Sequence, residues 1–174
     1  MTKATEDKFP LIRLSVPVRQ KVCIQITDEL KKIISTSLDV KEKVSQASKV
    51  IFGLNLRHVC IYKVEGKQVI PISQYGCDYK LPFNYDERKG IISRVIDTLN
   101  PCLVQLHPDD LESILFASAQ MPEIKSEFVL PIKNTKGEIT GILELSSSIW
   151  YDFRKEEIEN YVSLAEQLSE LIGQ

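Results

Sequence analysis

A chain of 174 residues, 43% hydrophobic and 26% charged, has the composition of one globular domain large enough to bury a core without disulfide or metal staples. Its formal net charge of −2 and pI of about 5.8 leave no basic surplus to attract a phosphate backbone, so nucleic acid is not an expected partner. No apolar run is long enough to span a membrane and no export signal opens the chain, so with its unpaired cysteines it is expected in a reducing cytosol.

Residues 1–15 read as a loose polar tail. From Pro17 a helix is expected to about Ser35, with Cys23, Ile26, Leu30 and Ile33 recurring at three- and four-residue steps. Ser35-Thr36-Ser37 breaks it. Asp39 then caps a second helix, Val40–Phe52, with Val44, Ala47 and Ile51 inward and Gly53 at its end. From Arg57 the pattern changes to strands. HVCIYKV runs out, Glu65-Gly66-Lys67 turns, and QVIPISQY returns; Pro71 cannot donate to a ladder, which places this second strand at a sheet edge. Gly76–Lys89 is a loop rich in Asp, Pro and Tyr.

Gly90–Leu99 reads as a helix with Ile91, Ile92 and Val95 as its apolar face, stopped by Asn100-Pro101, and Cys102–Gln105 as a short strand. His107-Pro108-Asp109-Asp110 starts a short helix through about Ala117, with acids in its first turn, and Gln120–Lys125 connects onward. Glu127–Lys133 is a strand with Phe128, Leu130 and Ile132 on one face. Asn134–Gly137 turns, and Glu138–Ser146 returns with Ile139, Leu143 and Leu145 on one side and Ile142 on the other, the pattern of a central strand. In the closing helix, Ile158, Tyr161, Ala165, Leu168 and Ile172 step as a coiled-coil seam, widened by Val162, Leu164 and Leu171, and predict a homodimer through the terminal helices.

The order predicts one α+β domain over residues 16–174. Its central antiparallel sheet would have five to six strands, terminal helices on one face, and short helices with loops on the other. Several segments in this order resemble the GAF domain family: the hairpin His58–Tyr75, the Gly90–Val95 segment with Asn100-Pro101 after it, SEFVLPI followed by GEITGILEL, and Phe153 with Glu156-Glu157. The resemblance covers about Val40 to Gly173. It implies a ligand pocket on the sheet face beneath the middle helices, with an occupant that differs from member to member, or no ligand and a role in dimerisation. The ligand, and any cofactor, stays unnamed.

One activity that the resemblance brings in is free methionine-(R)-sulfoxide reduction, which needs an attacking and a resolving thiol. The positions where the family's enzymes carry cysteine hold Gln120, the Ile92-Ser93 pair and the neighbourhood of Pro82, so only Cys77 or Cys102 could substitute. Cyclic-nucleotide members carry Asn-Lys where this chain has Ser146-Ser147-Ser148, and no Cys-His attachment pair for a bilin exists. Cys23, Cys60 and Cys102 read as buried hydrophobes. With only His58 and His107 beside the cysteines, no zinc site is expected, and His58 reads as a surface or boundary residue. Position along the chain gives the candidate ligand contacts: Tyr75, Tyr85, Arg94, Gln105, His107, Gln120 and Glu127, with Arg94 the natural partner for an anion. The expected role is a non-catalytic sensing or interaction module acting on an effector on another chain.

Overall fold

Pro17 sits in the first turn of α1 (Val16–Ser35), where a missing N–H costs nothing, and Cys23, Ile26, Leu30 and Ile33 form its buried stripe. Asp39 Oδ1 accepts the Glu42 N–H at 2.8 Å, the expected cap of α2 (Val40–Phe52). The computed structural model describes residues 13–76, 81–87, 90–105 and 124–173. The remaining described elements are β1 (His58–Glu65), β2 (Gln68–Tyr75), β3 (Phe83–Asn84), α3 (Ile91–Thr98), β4 (Cys102–Gln105), β5 (Ser126–Lys133), β6 (Ile139–Ser147), a 3-10 turn (Lys155–Glu157) and α4 (Ile158–Ile172). The short helix expected from His107 lies outside the described residues.

The strands form one six-stranded sheet in the order β3-β2-β1-β6-β5-β4, each neighbour antiparallel. α2 and α4 lie on one face and α1 packs across both of them, around Val59, Ile61, Phe128, Leu130, Leu143 and Leu145. α3 covers the other face, over Cys60, Tyr62, Val129 and Ile142. This is the α+β arrangement the sequence predicts.

Three expectations need correction. β2 is not the edge strand: the segment expected to be loop contributes β3, which pairs with Gln68 and Val69 only. Pro71 lies beyond its reach, so the proline breaks no ladder there. Ile139 does not share a face with Leu143 and Leu145. The β5–β6 register shifts by one residue at Thr140, and that bulge turns Ile139 to the α3 side. The third correction concerns α4. Tyr161, Ala165, Leu168 and Ile172 are buried against the chain's own core, with Ile158 partly so, and these side chains therefore form no external seam. They are needed indoors because the sheet face they cover is apolar at alternate positions of three strands.

Arg19 is the largest fully buried side chain among the described residues. Its Nη1 donates to Asp152 Oδ1 at 2.8 Å and to the Asp152 carbonyl at 3.0 Å, and its Nη2 donates to the Leu54 carbonyl at 3.0 Å. Arg13, in the segment expected to be a loose tail, donates to the Asp152 carbonyl and to both oxygens of Glu157, at 2.9 and 3.1 Å. Burial works to lower the Arg19 pKa, and Tyr161, Asp152 and Glu157 together outweigh it, so the guanidinium is held above its ordinary value. Beside it, Phe128, Phe153 and Tyr161 pack as a ring trio with centroids 5.4–5.7 Å apart.

Gly141 marks a close approach in the sheet. A Cβ there would lie 2.6 Å from the Tyr62 carbonyl oxygen, a backbone atom, and 3.2 Å from Ile172 of α4. Gly141→Ala is expected to destabilise the domain by about 1–3 kcal/mol, the cost of overpacking a filled core, read as a lower urea midpoint at unchanged slope.

Candidate functional site

Alternation along antiparallel strands decides what lies beneath α3. On β1 it presents His58, Cys60 and Tyr62; on β6 Ile142, Glu144 and Ser146; on β5 Glu127 and Val129. The register aligns them in rows. Val104, Glu127, Ser146 and His58 are successive cross-strand partners from β4 to β1, and Cys102, Val129, Glu144, Cys60 and Gln74 form the next row. A polar band of Glu127, Ser146, His58, Glu144 and Tyr62 therefore crosses the middle of a face whose other residues are largely apolar. All five are buried, Glu127 and Glu144 at 3% and 2% exposure.

The band is internally bonded. Tyr62 Oη donates to Glu144 Oε2 at 2.5 Å, and His58 Nε2 and Ser146 Oγ lie 2.9 Å apart. His58 Nε2 also lies 3.9 Å from Glu144 Oε1, while its buried Nδ1 has no hydrogen-bond partner among the described residues. Burial, reinforced by the Glu144 carboxylate and by Cys60, pushes the Tyr62 phenol well above its ordinary range, so it stays a donor. Such an arrangement offers carboxylate acceptors, an imidazole and hydroxyls to a group held against the sheet.

The sequence-derived candidates divide between the two faces. Glu127 lies in the band, Tyr85 packs against the apolar cluster beneath α3, and Arg94 is exposed on α3 near Cys102. Tyr75 and Gln105 belong to the opposite face. Tyr75 pairs with helix-facing Val59 and stacks on Phe52 at 4.7 Å, and Gln105 Nε2 donates to the Phe153 carbonyl at 3.0 Å. His107 and Gln120 lie outside the described residues. Sequence reasoning missed His58, which is buried rather than superficial, and Tyr62, Glu144 and Ser146. The usable signal was polar residues at every second position of strands that must be covered on both sides.

Among the cysteines, Cys102 is half-buried; burial raises its thiol pKa, Arg94 opposes, and Glu127 raises it further. The Cys23 thiol is pushed up to about 12 by burial, against the lowering effect of Arg19. Cys77 lies outside the described residues. No group of three His, Cys, Asp or Glu among the described residues could hold a metal ion, and no helix among them is long and apolar enough to cross a membrane. A groove of about 370 Å3 lies at the far end of β5, between its turn and α4, away from the polar band.

No model of a known protein family matches the sequence, and no curated protein matches it. Solved structures do. A structure described as that of the GAF domain superposes with a TM-score of 0.75 at 16% identity, covering 94% of this chain and 97% of its own. The chain has the GAF fold. The GAF domain from a phosphoenolpyruvate-protein phosphotransferase of Coxiella burnetii matches at TM-score 0.68 and 17% identity, over 88% of this chain and 94% of that one. Free methionine-R-sulfoxide reductase from Neisseria meningitidis, in complex with its substrate, matches at 0.73 and 15% identity, over 94% and 95%. The fold is thus shared with a domain of a phosphotransferase and with a reductase, and identities this low carry the fold alone.

The Tyr62 shift gives a pH test. In the unfolded chain a tyrosine ionises near pH 10, whereas folded Tyr62 stays protonated well above that. Its contribution to stability is therefore fully present below about pH 10 and lost as pH rises toward the folded value, at about 1.4 kcal/mol per pH unit. Tyr62→Phe is expected to lessen the alkaline decline, leaving the part that Tyr161, Cys23 and Cys102 contribute, and to cost about 1–3 kcal/mol at neutral pH, where Glu144 loses a donor; urea titrations between pH 7 and 11 read both effects.

Proposed function

We propose that this GAF-like domain binds a small molecule against the sheet face beneath α3, with Glu127, Glu144, His58 and Tyr62 supplying the polar contacts. The observation that carries the reading is the buried polar band itself. Removing two carboxylates from water costs several kcal/mol each, and an apolar band of similar volume would serve stability as well or better. Groups of this kind, kept where they weaken a local packing rule, mark a site under a functional demand. Two carboxylates favour a ligand presenting N–H donors or a cationic group.

The role proposed is sensing rather than turnover. A thiol-dependent reductase of the free methionine-(R)-sulfoxide type, using Cys77 or Cys102, is the competing reading. The environment of Cys102 speaks against that residue, since burial and Glu127 both disfavour the thiolate such an attack needs. The output would be an effector protein on another chain, reached through a homodimer. With the α4 stripe spent indoors, the large apolar side chains that α1 and α4 leave exposed are Val18 and Ile24 of α1, at 47% and 58%, which supports α1 as the surface for the proposed dimer.

Two experiments follow. Native mass spectrometry of freshly purified protein is expected to show a retained small molecule. Glu127→Gln and Glu144→Gln should each weaken its rebinding tenfold or more, about 1.4 kcal/mol, with the fold intact. Turnover of methionine sulfoxide that vanishes in Cys77→Ser or Cys102→Ser would replace this reading with the enzymatic one. For the dimer, sedimentation at high micromolar concentration should show a dimer that Ile24→Glu converts to monomer; a strict monomer in the unmodified chain removes it.

A further inference from the structure

Residues 148–154 link β6 to α4, and they are held from two directions. From the sheet, Ser126 Oγ donates to the Ile149 carbonyl at 2.7 Å and accepts the Asp152 N–H at 3.2 Å, and Gln105 Nε2 donates to the Phe153 carbonyl at 3.0 Å. From the other side, Arg19 grips the Asp152 carboxylate and carbonyl, Arg13 grips that carbonyl and Glu157, and Gln20 Nε2 donates to the Glu156 carbonyl at 2.8 Å. Ser126 and Asp152 are fully buried, so water does not substitute for these bonds.

The sheet-side holders stand one residue from the polar band. Ser126 precedes Glu127, and Gln105 follows Val104, the cross-strand partner of Glu127; Ser126 and Gln105 are themselves partners. Successive residues of a strand point to opposite faces, so Glu127 lies beneath α3 while Ser126 reaches the connector. A pull on Glu127 that tilts the start of β5 moves Ser126 and both its bonds in the opposite sense.

We infer that the 148–154 connector is a coupling strap: it carries a displacement of the polar band through Ser126 and Gln105 to Asp152, and through Arg13 and Arg19 to the start of α1. The inference rests on the binding reading above and adds the route by which the site acts on α1. The alternative route runs through α2 and α4, packed directly on the sheet, and would not depend on Ser126.

The test is hydrogen exchange on the full chain without ligand, read at the amides of residues 19–24 in Glu127→Gln, Ser126→Ala and the double variant. Each single variant is expected to speed exchange there about fivefold, the order of one lost net hydrogen bond, and the double variant to go no further than Ser126→Ala alone. Unchanged exchange in the single variants, or effects that simply add, overturns the strap. If Ser126→Ala does not fold, Gln105→Met takes its place with the same expectation. Since no ligand is present, a failure here leaves the mass-spectrometric result untouched, and an empty protein in that experiment sinks the binding reading without altering this exchange pattern.

Discussion

One buried guanidinium holds the helical layer in place. Arg19 joins three separate stretches of chain: α1, which carries it; the turn after α2, through the Leu54 carbonyl; and the connector before α4, through Asp152. The gain from such a pair over a well-packed apolar alternative is small, but removing one partner leaves a charge buried and uncompensated, at a cost of about 3–5 kcal/mol. Its value lies in geometry: a bidentate fork fixes the position of α1 on α2 and α4 more closely than a smooth apolar stripe can. The ring trio of Phe128, Phe153 and Tyr161 fills the space beside it, so one end of the helical layer is pinned by charge and by shape together.

The sheet is the element both layers share, and alternation lets its two faces do different work. On β5, Phe128, Leu130 and Ile132 feed the helical core while Glu127 and Val129 face α3. On β6, Leu143 and Leu145 do the first and Glu144 and Ser146 the second. The helical side is apolar throughout its centre and supplies the hydrophobic stabilisation. The α3 side gives up part of that for a polar band, an uneven division expected of a scaffold that carries a site on one face.

Much of this was legible in the sequence because it follows from local rules. Asp39 as a cap, Gly90 and Asn100-Pro101 as helix limits, and the β5–β6 hairpin depend on residues within a few positions of one another, and each expected boundary lies within a residue or two of the observed one. What was not legible depends on register or on distant partners. The Thr140 bulge reverses Ile139, and a strict period of two cannot foresee an inserted residue. His58 reads as superficial until β6 is laid beside it with Ser146 opposite. Tyr75 and Gln105 face the helical layer, opposite Glu127, because pleat parity decides their faces, where proximity along the chain had nominated them together. Arg13 and Arg19 carry no signal in the local pattern, and their role emerges only once Asp152 and Glu157, more than 130 residues away, are brought to them. The heptad spacing of α4 was real, but spacing alone does not tell an internal face from an external one.

The central claim is that the polar band beneath α3 holds the ligand. The most direct measurement is a set of intermolecular nuclear Overhauser contacts between the isotope-labelled chain and the small molecule that co-purifies with it. The account predicts contacts from the ligand to the rings of His58 and Tyr62 and to the apolar side chains of α3 that face them. Contacts confined to the groove beside the β5–β6 turn and α4, with none to His58 or Tyr62, would contradict it.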